Sequence, residues 1–469
     1  MYRPPFVRRL LCLLLLLLAM PAAAQSLQDQ VTAQLAQAGP GTRFGMVVVD
    51  GDGREILAIR PDERFTPAST TKLMTTAAVF ARLAVARPDA EAGTVVRLEG
   101  DDVVLEGHGD ARLSSADDCT VDCLATLADA VAGRTRVVND VIGDDRAFVD
   151  LRWSPGMSWN NIGTRSGAAV SALTLDDNQA PVRIAPGESG GALHVEAPAF
   201  WTLDNRTATV VGQGTPVALD RAPFDRVLHL TGTLAAGAAP LVRRVPVDDP
   251  AEWAAWRFKA MLEARGVAVR GTVRVRHRHG AVPVEAKDAP PLAQLVPPPL
   301  VEDLRHTNKT SDNLHAELLL RRLGGGSIEA GGKLVEDMLA EADLPRWSYG
   351  LADGSGMSTY NRITPRAMVL FLRWAEGQPW GAAWRETLPV GGADGTLARR
   401  FRKDAGAARI VAKTGTLAGT HALAGYIETG NGQRLCFALY AADAPFGAPV
   451  VPAMDAAVAL VAAQAGAAK

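Results

Sequence analysis

The chain has 469 residues, 48% hydrophobic and 21% charged, with 49 basic against 51 acidic side chains and a formal net charge of −2. That length supports two or three domains with real cores, and the composition is that of an ordinary soluble globular protein. The balanced charge leaves no basic excess to hold nucleic acid or an anionic lipid surface, so neither partner is expected.

Arg3, Arg8 and Arg9 precede the apolar run Leu10–Met20, and Ala22-Ala23-Ala24 follows. A basic segment, an apolar core and a small-residue site read as an export signal over residues 1–24, cleaved after Ala24 to leave Gln25–Lys469 in the periplasm. The run is short for a bilayer span. No later stretch reaches the roughly 18 consecutive apolar residues of a membrane helix, so no transmembrane segment is expected in the mature chain.

Gly45–Asp50 and Glu55–Arg60 are strand-like runs joined by the turn Asp50-Gly51-Asp52-Gly53. Thr66-Pro67 predicts a helix start, with Thr66 as N-cap and Pro67 at the first position. Ala68–Val85 is Ala-rich and mostly apolar, the pattern of a buried helix. From about Glu91 to Arg278 the chain turns to short alternating strands and Gly-rich turns, interrupted by a helix over Ala251–Arg265. Within this block, Arg274-Val-Arg-His-Arg-His279 puts three arginines on one face, as in a solvated edge strand. An oxidising compartment permits a Cys119–Cys123 disulfide closing a short loop, with two free thiols as the alternative. Cys436, inside Leu435–Tyr440, reads as a core residue. No Cys/His spacing resembles a zinc site and there is no His-Glu-x-x-His, so no metal or cofactor is expected.

Lys287–Pro299 is Pro-rich and reads as a linker. Helical patterns follow over Leu300–Leu323 and Pro365–Glu376. Strands are expected at Arg409–Thr414, His421–Glu428 and Arg434–Ala441, then a last apolar helix over about Ala453–Ala463. Strands at both ends with helices between suggest one antiparallel sheet closed by both termini, with the middle block inserted.

Three short elements carry chemistry. Ser69-Thr70-Thr71-Lys72 places a serine and a lysine one helical turn apart on the same face. A hydroxyl is a weak nucleophile until a base takes its proton, and a lysine kept neutral by burial or a neighbouring cation can do so. Ser311-Asp312-Asn313, preceded by Lys309, opens an amphipathic helix that can hold side chains rigidly. Ser158-Trp159-Asn160 has the same pattern but lies in a Pro/Gly turn. Lys413-Thr414-Gly415-Thr416 ends a strand, where Gly415 admits a close backbone and Lys413, Thr414 and Thr416 can meet a carboxylate. Each is weak alone. However, only 8 of the 49 basic residues are lysine (49 − 8 leaves 41 arginines), and three of those lysines fall at or beside these elements. Arginine never gives up its proton, so it cannot serve as the base.

Ser-x-x-Lys, Ser-Asp-Asn and Lys-Thr-Gly in this order resemble the penicillin-binding proteins and serine β-lactamases. Ser69 and Ser311 are 242 residues apart (311 − 69). That gap resembles the penicillin-binding protein 4 group of D-Ala-D-Ala carboxypeptidases, the class C low-molecular-mass penicillin-binding proteins, which carry domains inserted between the first two motifs. Gly107-His-Gly-Asp110, Trp159-Asn160, Val170-Ser-Ala-Leu173, Lys309–Leu314, Asp353-Gly-Ser-Gly356 and Asp394-Gly-Thr-Leu397 are similar to that group as well. Ala111 departs from it, since Pro commonly follows Gly-Asp there.

The resemblance implies an α+β fold: a serine β-lactamase/transpeptidase-like domain, its antiparallel sheet flanked by helices, with mainly-β insertions. The expected division is 25–90 and 288–469 for the catalytic domain, 91–180 and 240–287 for the inserted domain, and 181–239 for a nested small β domain. It implies a carboxypeptidase or endopeptidase acting on peptidoglycan stem peptides through an acyl-enzyme, with β-lactam antibiotics as covalent inhibitors. Ser69 would be the nucleophile and Lys72 its base. Ser311 would relay a proton, Asn313 would position Lys72, and Lys413, Thr414 and Thr416 would hold the terminal carboxylate. The Ser69 and Thr416 backbone N–H groups would form the oxyanion hole. Asp353 and Ser355 would shape a loop, and His315 and His421 would be structural. A β-lactamase and a non-catalytic scaffold are the rival readings. A β-lactamase would want a deacylating glutamate between the second and third motifs, where Glu336, Glu341 and Glu376 lie.

Overall fold

A computed structural model describes residues 25–280, 290–402 and 408–467. The expected leader, residues 1–24, and residues 287–289 of the expected linker lie outside them.

The chain's two ends build one sheet. Its five strands run in the order Arg409–Leu417, Thr420–Glu428, Arg434–Ala442, Arg43–Val49, Glu55–Ile59, every neighbour antiparallel. Side chains alternate faces along a strand, and here both faces are covered. Val47, Val49, Ala422, Ala424, Tyr426, Cys436, Ala438 and Tyr440 join the core under helices Thr71–Arg82 and Pro365–Glu376. Met46, Val48, Leu423, Ile427, Leu435, Phe437 and Leu439 pack on the opposite side against helices Leu27–Leu35 and Val450–Ala467. This two-sided burial explains why these strands read as near-continuous apolar runs. Val450–Ala467 is long and apolar enough to cross a membrane by composition. Eight of its side chains are buried, most of them in the core beneath the sheet, as in a core helix.

Between the first and second motifs lies a second body with its own core. Its five-stranded mixed sheet runs Val273–Arg278, Val141–Val149, Asp102–Glu106, Val95–Glu99, Ala293–Gln294. Helix Pro250–Ala264 buries Trp253, Ala254, Ala255, Phe258 and Leu262 in that core. The block also holds helix Leu124–Arg134, a two-stranded pair of Val137–Val138 with Ala268–Val269, and two three-stranded sheets: Leu241–Pro246, Gln179–Ala185 and His194–Glu196 in one, and Ala218–Asp220, Val227–Ala235 and Thr202–Val210 in the other. Val273–Arg278 is an edge strand as expected. Arg274 pairs with Asp140 and Arg276 with Glu99. Cys119 and Cys123 are disulfide-bonded, and Cys436 is buried.

Three local expectations need correction. Thr66 does not cap a helix. Its hydroxyl accepts from Arg362, while a 3-10 turn over Ala68–Thr70 leads into helix Thr71–Arg82, which ends three residues short of Val85. The pattern over Leu300–Leu323 is two helices, Leu300–Thr310 and Asn313–Leu323. Ser311 does not open the second helix: it sits at the break in a left-handed conformation (φ 64°), and Asp312 caps the helix by accepting from the His315 N–H. The last helix also extends beyond Ala453–Ala463 at both ends.

Candidate active site

Ser69 lies in the 3-10 turn at the head of helix Thr71–Arg82, directly after Ala68, a non-glycine residue at φ 46°. Two glycines press on this turn. A Cβ on Gly356 (φ 87°) would stand 1.9 Å from the Ala68 carbonyl oxygen, and one on Gly415 2.9 Å from the Ser69 nitrogen. Only bare backbone fits at either place, so the strained turn is held between the edge strand and the loop Asp353–Gly356.

Lys72, fully buried, points its Nζ back along the helix. It donates to Ser69 Oγ at 3.0 Å, Asn313 Oδ1 at 2.7 Å and the Ser355 carbonyl at 2.6 Å. Asn313 in turn donates from Nδ2 to the Ser166 carbonyl at 3.0 Å, tying the second motif to the inserted block. Lys413, equally buried, donates to Ser311 Oγ at 2.8 Å and the Thr414 carbonyl at 2.9 Å. Thr414 Oγ1 donates to Thr396 at 2.8 Å. Thr416 is exposed on the sheet's edge strand. The structure thus assembles the three motifs from a helix head, a break between helices and an edge strand. Lys309 is not drawn in; it is bound to the Leu388 carbonyl and Asp394, both at 2.6 Å.

Burial disfavours the charged form of both lysines. It lowers Lys72 from 10.5 to about 8, against the opposing pull of Asp353, Asp312 and Glu317. Lys413 falls well below the ordinary lysine value, first through burial and then through the Lys72 cation. Two buried ammonium groups so arranged cannot both hold their protons easily. Each therefore gives up a proton more readily than an exposed lysine.

The loop that receives Lys72 rests on Glu317, Arg321 and Thr75, which belong to no motif, and on Asp353 within it. Glu317, buried, accepts from the backbone N–H groups of Gly354 and Ser355 at 3.0 and 2.9 Å and from Ser154 at 2.7 Å, and pairs with buried Arg321 at 2.8 Å. Thr75 donates to the Gly354 carbonyl at 2.8 Å. Asp353 accepts from Gly356, Ser358 and Asn361, and burial next to Glu317 raises its pKa to about 6. The usable sequence signal was a Glu–Arg pair at i, i+4 on an otherwise apolar helix, where a lone charge would be costly. Ser158 is exposed in front of the turn Trp159–Asn161. His421 faces Thr416 across the edge pair of strands. Glu336, Glu341 and Glu376 are each paired to an arginine, respectively Arg346, Arg82 and Arg434.

A serine hydroxyl bonded to a buried, partly neutral lysine on a helix packed against a five-stranded antiparallel sheet defines a serine hydrolase with the fold shared by penicillin-binding proteins and serine β-lactamases. The structure of penicillin binding protein 4 (dacB) from Haemophilus influenzae superposes with a TM-score of 0.77 at 20% identity, covering 93% of this chain and 99% of that one. The same protein complexed with a novel beta-lactam superposes at 0.70 and 19% identity, covering 92% and 99%. The D-alanyl-D-alanine carboxypeptidase of Actinomadura sp. (strain R39) is 34% identical over 427 residues, 84% of this chain and 76% of that protein. The chain belongs to the D-Ala-D-Ala carboxypeptidase 3 (S13) family, which matches residues 27–465. It is a serine peptidase, a hydrolase of the D-Ala-D-Ala carboxypeptidase type.

Proposed function

We propose that Ser69 is the acylated residue of a periplasmic D-Ala-D-Ala carboxypeptidase that also splits peptide cross-links as an endopeptidase, delivered by cleavage after Ala24. The observation that carries this reading is the contact between buried Lys72 Nζ and Ser69 Oγ, 3.0 Å, in a lysine with a lowered pKa.

Ser69 Oγ attacks the carbonyl carbon of the penultimate D-Ala while its proton passes to Lys72 Nζ. The resulting oxyanion sits against the Ser69 and Thr416 N–H groups. Collapse breaks the C–N bond, and the proton that Lys72 took reaches the departing amine through Ser311, which gives one proton and takes one back. Water then attacks the ester, returning the proton to Ser69 and releasing the shortened stem peptide. Lys413, Thr414 and Thr416 take the terminal carboxylate, and Gly415 keeps the edge strand close to Ser69. Binding an anion at Lys413 raises that lysine's proton affinity, and the restored cation pushes Lys72 further toward its neutral form. Substrate arrival thereby prepares the base. A β-lactam is attacked by the same Ser69 Oγ at its ring carbonyl, but the amine freed from the C–N bond stays tethered, so β-lactam antibiotics act as covalent inhibitors. Residues 25–90 and the described residues from Leu300 onward form the catalytic domain, and the expected boundary at 288 moves because Ala293–Gln294 pairs with Val95–Val96 in the inserted sheet; 91–180 and 240–280, and the nested 181–239, flank the cleft. The paired states of Glu336, Glu341 and Glu376 weigh against a β-lactamase.

The test is a mixture of pentapeptide monomer and cross-linked muropeptide dimer, incubated with the mature protein or Ser69→Ala and read by mass spectrometry. D-Ala release and dimer cleavage by the wild type alone support the proposal. Turnover by a folded Ser69→Ala, or none by a folded wild type, rejects it.

A further inference from the structure

One cluster overlaps the second motif at Asp312, and its two histidines have no part in this chemistry. His306 and His315 are nine residues apart, which on an unbroken helix puts them on opposite faces at about 100° per residue. The break at Ser311 folds them together instead, with ring centroids 4.6 Å apart. Between them in sequence stands Asp312. One donor atom from each of His306, Asp312 and His315 lies within 4.8 Å of the others. His306 Nε2 is 3.7 Å from Asp312 Oδ2, and His315 Nε2 is 3.6 Å from Asp177 Oδ1. Donors around a tetrahedral zinc, bound at about 2.0–2.1 Å, stand roughly 3.3–3.5 Å apart.

His315 is the strongest pointer. It is only 4% exposed, and its Nε2 has no hydrogen-bond partner among the described residues. Its Nδ1 meets Asp303 Oδ1 at 2.5 Å. A carboxylate behind one ring nitrogen is the arrangement found behind metal-binding imidazoles, and the other nitrogen is turned toward Asp177. Asp177 comes from the inserted block, within Asp176-Asp177-Asn178, three successive non-glycine residues at φ 51°, 58° and 55°. Asn178 braces this turn through Leu175 N–H and the Ala169 carbonyl. A cavity of about 800 Å³ lined by Asp177, His306 and His315 gives an ion access.

We propose that His306, Asp312 and His315, whose donor atoms lie within 4.8 Å of one another, close on one divalent transition-metal ion with Asp177, which stands 3.6 Å from His315 Nε2, as the fourth ligand; the donor set fits zinc. Two imidazoles and two carboxylates suit zinc better than calcium or magnesium, which prefer all-oxygen shells. The ion joins both helices and the inserted block across the turn that carries Ser311 and Asn313. It therefore acts as a positioning element, setting where those two side chains meet Lys413 and Lys72. The ligands come from three separate segments, which is why no metal motif is visible in the sequence. The competing state is a protonated His315 bridging Asp303 and Asp177 without metal.

The test uses the full mature chain without a histidine tag, stripped by chelator and titrated with zinc by calorimetry and by competition with a chromophoric chelator. One zinc per chain is expected. Affinity should drop at least tenfold in His306→Gln and in Asp177→Asn, with near-UV circular dichroism showing both folded. His229→Gln, which removes a surface histidine paired with Asp204, should bind as wild type. Zinc should also change the penicillin acylation rate of stripped wild type and not that of His306→Gln. No uptake by wild type, or unchanged affinity in either ligand variant, overturns the site. Zinc uptake without any change in acylation rate overturns its positioning role.

Discussion

The lysine at the base of the proposed mechanism makes a quantitative demand on pH. Burial takes Lys72 from 10.5 to about 8, roughly 3 kcal/mol against the charged form. Only the neutral amine can accept the Ser69 proton, so acylation should rise with pH and fall in acid. Neutral Lys72 is about 1% of the total at pH 6, about 10% at pH 7 and about half at pH 8. The acylation rate with a fluorescent penicillin, followed by stopped flow, should therefore climb about tenfold per unit from pH 6 and level off above about pH 8. An unshifted lysine would keep climbing past pH 10. Stability should move the same way: the folded pKa lies below the unfolded one, so the unfolded chain binds the extra proton between about 8 and 10.5, and stability rises across that window. Lys72→Arg fixes the charge and should slow acylation by about 10²–10⁴. A flat rate profile from pH 6 to 9, or wild-type acylation by Lys72→Arg, would refute the assignment of the base.

Other perturbations separate the frame from the chemistry. Gly356→Ala should lose both penicillin labelling and several degrees of melting temperature, because the added carbon meets the Ala68 carbonyl oxygen at 1.9 Å in a backbone region disfavoured for alanine; unchanged labelling would show the turn is not held there. Glu317→Ala strands the buried Arg321 cation and frees two loop N–H groups, so chemical denaturation should report a loss of about 3–5 kcal/mol. Cys119→Ser with Cys123→Ser should cost no more than about 2 kcal/mol, since the closed loop is short. Alkylation mass spectrometry of the unreduced wild type should find both sulfurs protected.

Much of this was legible in the chain. The two-sided apolar strands at both termini foretold the closed sheet, the Pro/Gly-punctuated middle foretold an insertion, and Ser69 with Lys72 one turn apart needed only a helix to meet. Their contact is local, and helical geometry alone nearly guarantees it. The Leu300–Leu323 pattern is helical as expected but falls into two helices, because leucine spacing registers apolar periodicity and not a single left-handed residue at 311. That break is what turns Ser311 toward Lys413 and Asn313 toward Lys72.

The sequence by itself determined which chemical groups were present and, through periodicity of two and 3.6, which elements would carry them. Only the tertiary structure decided how far their protons would shift and which distant residues would support them. Burial of Lys72 and Lys413, the Glu317 anchor under the Gly354–Ser355 backbone, and the meeting of His306, His315 and Asp177 all depend on segments far apart in the chain. Desolvation and through-space charge have no local signature, because they are properties of the packed surroundings and not of neighbours in sequence.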